Sequence, residues 1–191
     1  MILRKNLNIM NNRSGIATGF TLIELIITLA IAAILVSIAA PSFTDAIRQN
    51  RTATNANNLL ASLNIARSEA IKRAVTVTVK RKGTTSKSWE SGWDIFTDLN
   101  DNGTFNDDGD GSLCEVDEDC LLKTVSMLPN NYTLRTGNTY KDSLSYKSDG
   151  LVSGLDTFRL CNDSADISTS RAISINITGR VRIATGTNSC P

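Results

Sequence analysis

Arg180 and Arg182 stand two positions apart in Gly179-Arg180-Val181-Arg182. On an extended strand that spacing puts both side chains on one face, about 7 Å apart. Two guanidiniums so placed can each hold a phosphate bidentately, and their separation is comparable with the phosphate repeat along a nucleic-acid strand. The bland alternative is a solvated strand face, or ion pairs with Asp163 or Asp166. Gly179, following Asn176-Ile177-Thr178, turns the chain into this strand. Arg171 is close in sequence, and Lys80, Arg81 and Lys82 form a second basic cluster, so both are candidates to widen the patch. No aromatic residue interleaves with the arginines. Contact is therefore expected with backbone phosphates, with little sequence preference and strong salt sensitivity.

Other chemistry is sparse. The chain has 191 residues and no histidine, so it lacks the commonest general base and metal ligand, and an enzyme is not expected. Asp98-x-Asn100-x-Asn102-Gly103 copies the first half of a calcium-binding EF-hand loop, but Gly109 stands where the closing glutamate belongs. An acidic hairpin loop is the default there, with Asp98, Asn100 and Asn102 a weak calcium candidate and no cofactor expected. The four cysteines form no CxxC pair, which points to structural disulfides in an oxidising compartment rather than zinc. Cys114 and Cys120 enclose a loop small enough for one bridge, and Cys161–Cys190 would then tie the last strands to the C-terminus. The nested alternative, Cys114–Cys190 with Cys120–Cys161, is less economical.

Charge is segregated. Eleven acidic residues and no Lys or Arg fall between Trp89 and Leu122. Without the first nineteen residues, 17 basic and 19 acidic residues remain, a net of −2; outside the acidic segment the count is 17 against 8, a net of +9. One half of the chain suits a polyanion, and the acidic segment is expected to lie away from the contacting face.

Two kinds of element must position these residues. From Phe20 to Pro41 the chain is apolar and long enough to span a membrane, interrupted only by Glu24, with Arg4, Lys5 and Arg13 upstream. A cleaved secretory signal with a site at Ser37-Ile38-Ala39 is the simpler reading, but the helical pattern continues through Phe43, Ile47, Ala56, Leu60, Leu63, Ala66 and Ala70. One helix from about Phe20 to Arg73 is expected, kinked or locally melted at Pro41. From Val75 the period becomes two. Val75–Lys80 reads as a half-buried strand, followed by short candidates at Gly92–Thr97, Leu121–Ser126, Tyr132–Arg135, Ser143–Tyr146, Thr157–Cys161, Arg171–Ile177 and Arg180–Ala184, the signature of an antiparallel fold. The fold class is α+β, with the helix's apolar stripe covered by sheet.

Gly19-Phe20-Thr21-Leu22-Ile23-Glu24 followed by an apolar helix resembles the class III signal of type IV pilins and type II secretion pseudopilins. The resemblance implies segments 1–19 as leader, 20–41 as membrane and filament-core helix, 42–73 as its amphipathic continuation and 74–191 as a globular β domain. It implies a prepilin peptidase that cuts after Gly19 and methylates Phe20, and a Glu24 that neutralises the terminal amine of a neighbouring pilin subunit. The subunit would be single-pass in the inner membrane before assembly, then in the periplasm and the filament. Leu63–Arg73, Gly92-Trp93-Asp94-Ile95-Phe96-Thr97-Asp98, and Cys161 with Ile175–Arg182 and Cys190 are similar to the GspH/FimT-type minor pilins and pseudopilins. In FimT-type members a GRxR motif is associated with DNA binding in natural transformation, and this carries to Gly179, Arg180 and Arg182. The alternatives are a GspH-type minor pseudopilin of a type II secretion system, or a minor pilin that primes assembly without binding DNA.

Overall fold

The computed structural model describes residues 19–110, 114–115, 117–162, 166–187 and 189–190. The leader up to residue 18 and Asp163, one expected ion-pair partner, lie outside the described residues. Among the described residues, helix α1 (Leu22–Arg73) precedes eight strands. The strands are β1 (Val77–Arg81), β2 (Trp93–Thr97), β3 (Leu121–Val125) and β4 (Thr133–Arg135), then β5 (Ser143–Tyr146), β6 (Asp156–Cys161), β7 (Arg171–Ile175) and β8 (Val181–Thr185). Each lies within two residues of its expected position. Two compact units result, Met1–Phe43 and Thr44–Pro191, and α1 contributes to both.

The start of α1 is capped by its own sequence. The Glu24 N–H donates to the Thr21 hydroxyl at 3.3 Å, and the carboxylate of Glu24 falls in the first turn, where the helix dipole favours a negative charge. In the first unit the helix is exposed all round, and its most apolar 18-residue window has a mean hydropathy of 2.7. The expected melting at Pro41 does not occur: the helix is continuous through it. A proline removes one N–H, and the helical turns on either side of it keep theirs.

In the second unit the helix buries Ala56, Leu59, Leu63, Ala66 and Ala70, a stripe at spacings of three and four, against both sheets. α1 ends with Lys72 and Arg73 in its last turn and Ala74 in the left-handed region at φ 56°. Arg73 hydrogen-bonds Glu69 at 2.7 Å and thereby holds its carboxyl below the usual glutamate range.

Both sheets are antiparallel and four-stranded. Sheet I has the order β3-β2-β1-β5 and sheet II the order β4-β6-β7-β8. Val77, Val79, Trp93, Ile95 and Leu144 of sheet I share one core with Leu134, Phe158, Leu160, Ile173 and Ile175 of sheet II. Strand β1 is not half-solvated as its alternation predicts. Thr78, on its outer side, is fully buried, and its hydroxyl is satisfied there by donating to Asp98 Oδ2 at 2.8 Å and meeting Ser145 Oγ at 2.7 Å. The structure joins Cys114 to Cys120 and Cys161 to Cys190. The second bridge closes 29 residues and pins the tail after edge strand β8 to the end of β6, a constraint of about 3–4 kcal/mol by loop entropy.

Candidate nucleic-acid interface

The turn between β7 and β8 is built from Asn176-Ile177-Thr178-Gly179. The Gly179 N–H donates to the Asn176 carbonyl at 2.8 Å, and the Asn176 N–H to the Arg180 carbonyl at 3.1 Å. The Asn176 side-chain oxygen accepts from the Arg180 N–H at 2.9 Å and from the Thr178 hydroxyl at 2.7 Å. Asn at the first position and a left-handed glycine at the end are what a three-residue hairpin loop of this type requires. Gly179 has φ 74°, and a Cβ there would overlap the Gly150 carbonyl oxygen and crowd Arg67 Nε and the Tyr146 ring. Arg67 of α1 donates to that same carbonyl at 3.2 Å, and the Val152 N–H donates to the Ile177 carbonyl at 3.2 Å. The hairpin is thus seated on the 147–152 turn and the helix. Tyr146 beneath it is buried, which pushes its phenol well above the ordinary range.

Beyond this seat, β8 turns Val181 and Ile183 toward the core and leaves Arg182 and Arg180 exposed. Neither guanidinium makes an ion pair among the described residues. The two arginines line a groove of about 590 Å³ whose floor includes Ser174 and Asn176 and whose far side carries Thr157 and Arg159. Pairing places Arg182 opposite Ser174, Ser174 opposite Thr157, and Arg159 opposite Ala172. Asp156 also borders the groove, but its carboxylate accepts four backbone N–H groups, from Gly137, Thr139, Tyr140 and Thr157, at 2.8–3.0 Å. Its oxygens face those amides rather than the arginines.

The other expected contributors do not join this groove. Arg171 shares the alternation of the buried Ile173 and Ile175, and its guanidinium donates to the Thr169 and Ser170 carbonyls at 3.0 and 2.9 Å. Two-residue periodicity puts it on the opposite side of β7 from Ser174. Lys80 and Lys82 belong to the sheet I side, where Lys80 donates to the Thr104 hydroxyl at 3.2 Å and Lys82 pairs with Asp94 at 3.1 Å. Strand pairing puts them on the other sheet from Arg180 and Arg182. Arg159 carried no local signal in the sequence. Only the alternation of β6, with Phe158 and Leu160 buried and Arg159 between them, points it outward.

The acidic segment is pinned mostly to sheet I. Asp98 Oδ1 accepts the Asn102 N–H and Oδ2 the Gly103 N–H, while the side-chain oxygens of Asn100 and Asn102 accept the N–H groups of Asn102 and Thr104. The trio proposed for calcium thus spends its oxygens on the loop's own backbone. Asp107, Asp108 and Glu118 gather nearby, and burial pushes the Glu118 carboxyl up. The segment does not stay wholly clear of sheet II, because Glu90 pairs with Arg135 on β4.

A long N-terminal helix, apolar at its start and buried against two antiparallel sheets further on, defines a pilin-like subunit. Residues 17–40 match the prokaryotic N-terminal methylation motif, and residues 55–179 match the profile of type II transport protein GspH. The chain belongs to the GspH family, and is a subunit of the minor pilin and pseudopilin kind. Its fold is similar to that of the type IV minor pilin FimU of Pseudomonas aeruginosa, at 21% identity over 74% of this chain and 96% of that chain, with a TM-score of 0.57. A second crystal form of FimU gives 20% identity over 72% and 98% of the two chains and a TM-score of 0.53. The minor pseudopilin EpsH of the Vibrio cholerae type 2 secretion system matches at 14% identity, covering 71% of this chain and 97% of that one, with a TM-score of 0.48. Comparison with curated protein sequences finds no match. The methylation motif and apolar helix fit an inner-membrane-anchored pilin found later in the periplasm and pilus, with other pilin subunits as its partners.

Proposed function

We propose that this subunit is a minor type IV pilin that binds the phosphate backbone of extracellular DNA, without reading its sequence, for uptake in natural transformation. The observation that carries the reading is the exposed pair Arg180 and Arg182, one just before edge strand β8 and one on it, lining one groove without an ion pair among the described residues. Guanidiniums left without carboxylates on a built groove are the chemistry that captures phosphate. Before assembly, the prepilin peptidase cuts after Gly19 and methylates Phe20. Glu24 then meets the terminal amine of a neighbouring subunit, since a carboxylate in an apolar filament core needs an opposite charge. The role is structural and binding, not catalytic.

The test uses the full chain in neutral-detergent micelles under oxidising conditions, with electrophoretic retardation of duplex DNA across a salt series. Binding is expected to weaken steeply with salt, and Arg180→Ala with Arg182→Ala should flatten the log–log salt slope by about 1.8. No retardation even at ~50 mM salt would favour the second reading, a GspH-type pseudopilin of a secretion system or a pilin that primes assembly, which the match to type II transport protein GspH supports.

A further inference from the structure

The groove on sheet II has two walls, only one of which belongs to the hairpin. Strand β7 lies between β6 and β8 and presents short side chains outward, Ala172 and Ser174, while its isoleucines face the core. The neighbours on either side carry long cationic side chains: Arg182 on β8, with Arg180 just before it, and Arg159 on β6. Strands two positions apart in a sheet are separated by about 9.5 Å, so β7 is the floor of a trough of that width.

Arg159 is costly where it stands. Its cross-strand neighbour on β4 is Arg135, a like charge directly opposite, and such pairs are destabilising. Glu90 pairs with Arg135, whereas Arg159, half-buried, has no carboxylate partner among the described residues. A half-buried guanidinium beside a like charge and without an anion is arranged for an anion that arrives from outside.

We infer that Arg159 forms the second wall of the binding site, and that the trough takes one sugar–phosphate strand along β7, held by Arg180 and Arg182 from one side and Arg159 from the other. The inference rests on the DNA-binding reading above. A trough one strand wide accepts single-stranded DNA directly and duplex DNA through one of its two strands. Arg159 therefore contributes to both.

The experiment measures affinity and salt dependence of the full chain in detergent for a single-stranded and a duplex oligonucleotide, with inorganic polyphosphate as competitor. For Arg159→Ala, affinity should fall about tenfold, and the salt slope should flatten by about 0.9 on duplex and about 0.7 on single strand. Arg159→Lys should keep the slope, because charge is retained. The melting temperature of Arg159→Ala without DNA should hold or rise, since the like-charge pair is gone; a merely structural arginine would lower it. Should Arg159→Ala fail to fold, Arg159→Gln answers the same question: it removes the charge, keeps much of the stem and should weaken binding about tenfold. If Arg180→Ala with Arg182→Ala abolishes binding while Arg159→Ala and Arg159→Gln leave affinity and slope unchanged, the second wall is wrong and the DNA reading stands. If the arginine pair can be removed without effect, the DNA reading itself falls. Displacement of both oligonucleotides by polyphosphate at matched phosphate concentration is expected. A polyphosphate-only ligand, with neither oligonucleotide bound, overturns the assignment to a sugar–phosphate strand.

Discussion

Sheets I and II each carry three basic side chains around a groove, and their fates are opposite. On sheet I, Arg81 is held by Asp142 at 2.6 Å, Lys82 by Asp94 at 3.1 Å, and Lys80 by the Thr104 hydroxyl at 3.2 Å. On sheet II, Arg159, Arg180 and Arg182 border a groove whose one carboxylate among the described residues, Asp156, is committed to backbone amides. In the sequence the first set, three consecutive cations, reads as a second basic cluster that could widen the arginine patch. The lesson is that a cation becomes a binding group through the partners denied to it, and those are set by strand pairing. On sheet I two of the three cations meet a carboxylate within the fold, Lys82 at Asp94 of the acidic segment and Arg81 at Asp142, and Lys80 is engaged by a hydroxyl.

The comparison breaks most forcefully at the glycine under each sheet's turn. Gly179 seats the sheet II hairpin, while Gly92, at φ 93°, enters β2 of sheet I where a Cβ would overlap the Val125 carbonyl oxygen. Alanine at either site combines a left-handed backbone cost of about 1–2 kcal/mol with an overlap of about 1–3 kcal/mol. Both variants should melt roughly 10 °C lower by thermal unfolding. Only Gly179→Ala should also weaken DNA retardation, measured well below its melting point. Equal loss in both would mean that global stability, not the sheet II hairpin, governs binding.

How much of this was legible beforehand follows from the range of the interactions. The helix and eight strands could be read because periods of 3.6 and 2 are local properties, and Arg180 with Arg182 could be paired because two residues on one strand share a face. Arg159 could not. It reaches the groove only through the order β6-β7-β8, and nothing near Thr157–Cys161 marks that pairing. The seat of Gly179 on Gly150 and Arg67 is equally non-local, joining residues 29 and 112 positions away from it in the chain. Grouping Lys80 and Lys82 with the arginines failed for the same reason, since residues far apart in the chain are placed by strand pairing, which puts these on different sheets.

Smaller perturbations sharpen the contrast by moving charge without moving backbone. Asp94→Asn releases Lys82 on sheet I, and Glu90→Gln releases Arg135 beside Arg159 on sheet II. Each freed cation is partly exposed and is worth about 0.5–1 kcal/mol at low salt. Glu90→Gln should strengthen DNA binding about threefold, because its cation adjoins an existing trough. Asp94→Asn should change affinity less than twofold, because a lone lysine has no second wall. Both are read from the same retardation series, and a larger gain for Asp94→Asn would reverse the ranking of the two sheets.

The smallest effect separates the sheets by pH. The Arg81 guanidinium, hydrogen-bonded to Asp142, holds that carboxyl below its ordinary value of 3.8, with Ser86 assisting. A depressed acid adds stability that is present above pH ~4 and lost as pH falls through the lower folded value. Because Asp142 is half-exposed, the pair is worth less than about 1 kcal/mol, or roughly 1–3 °C of melting temperature. Wild type should melt that much above Asp142→Asn at pH 7, and the gap should close on acidification toward pH 2–3. The arginines of the sheet II groove have no such partner among the described residues, so replacing Arg180 or Arg182 by alanine should leave a gap near zero that is flat across the same range. An acid-dependent gap on sheet II would reveal a carboxylate held by those arginines, and with it the loss of their freedom to bind phosphate.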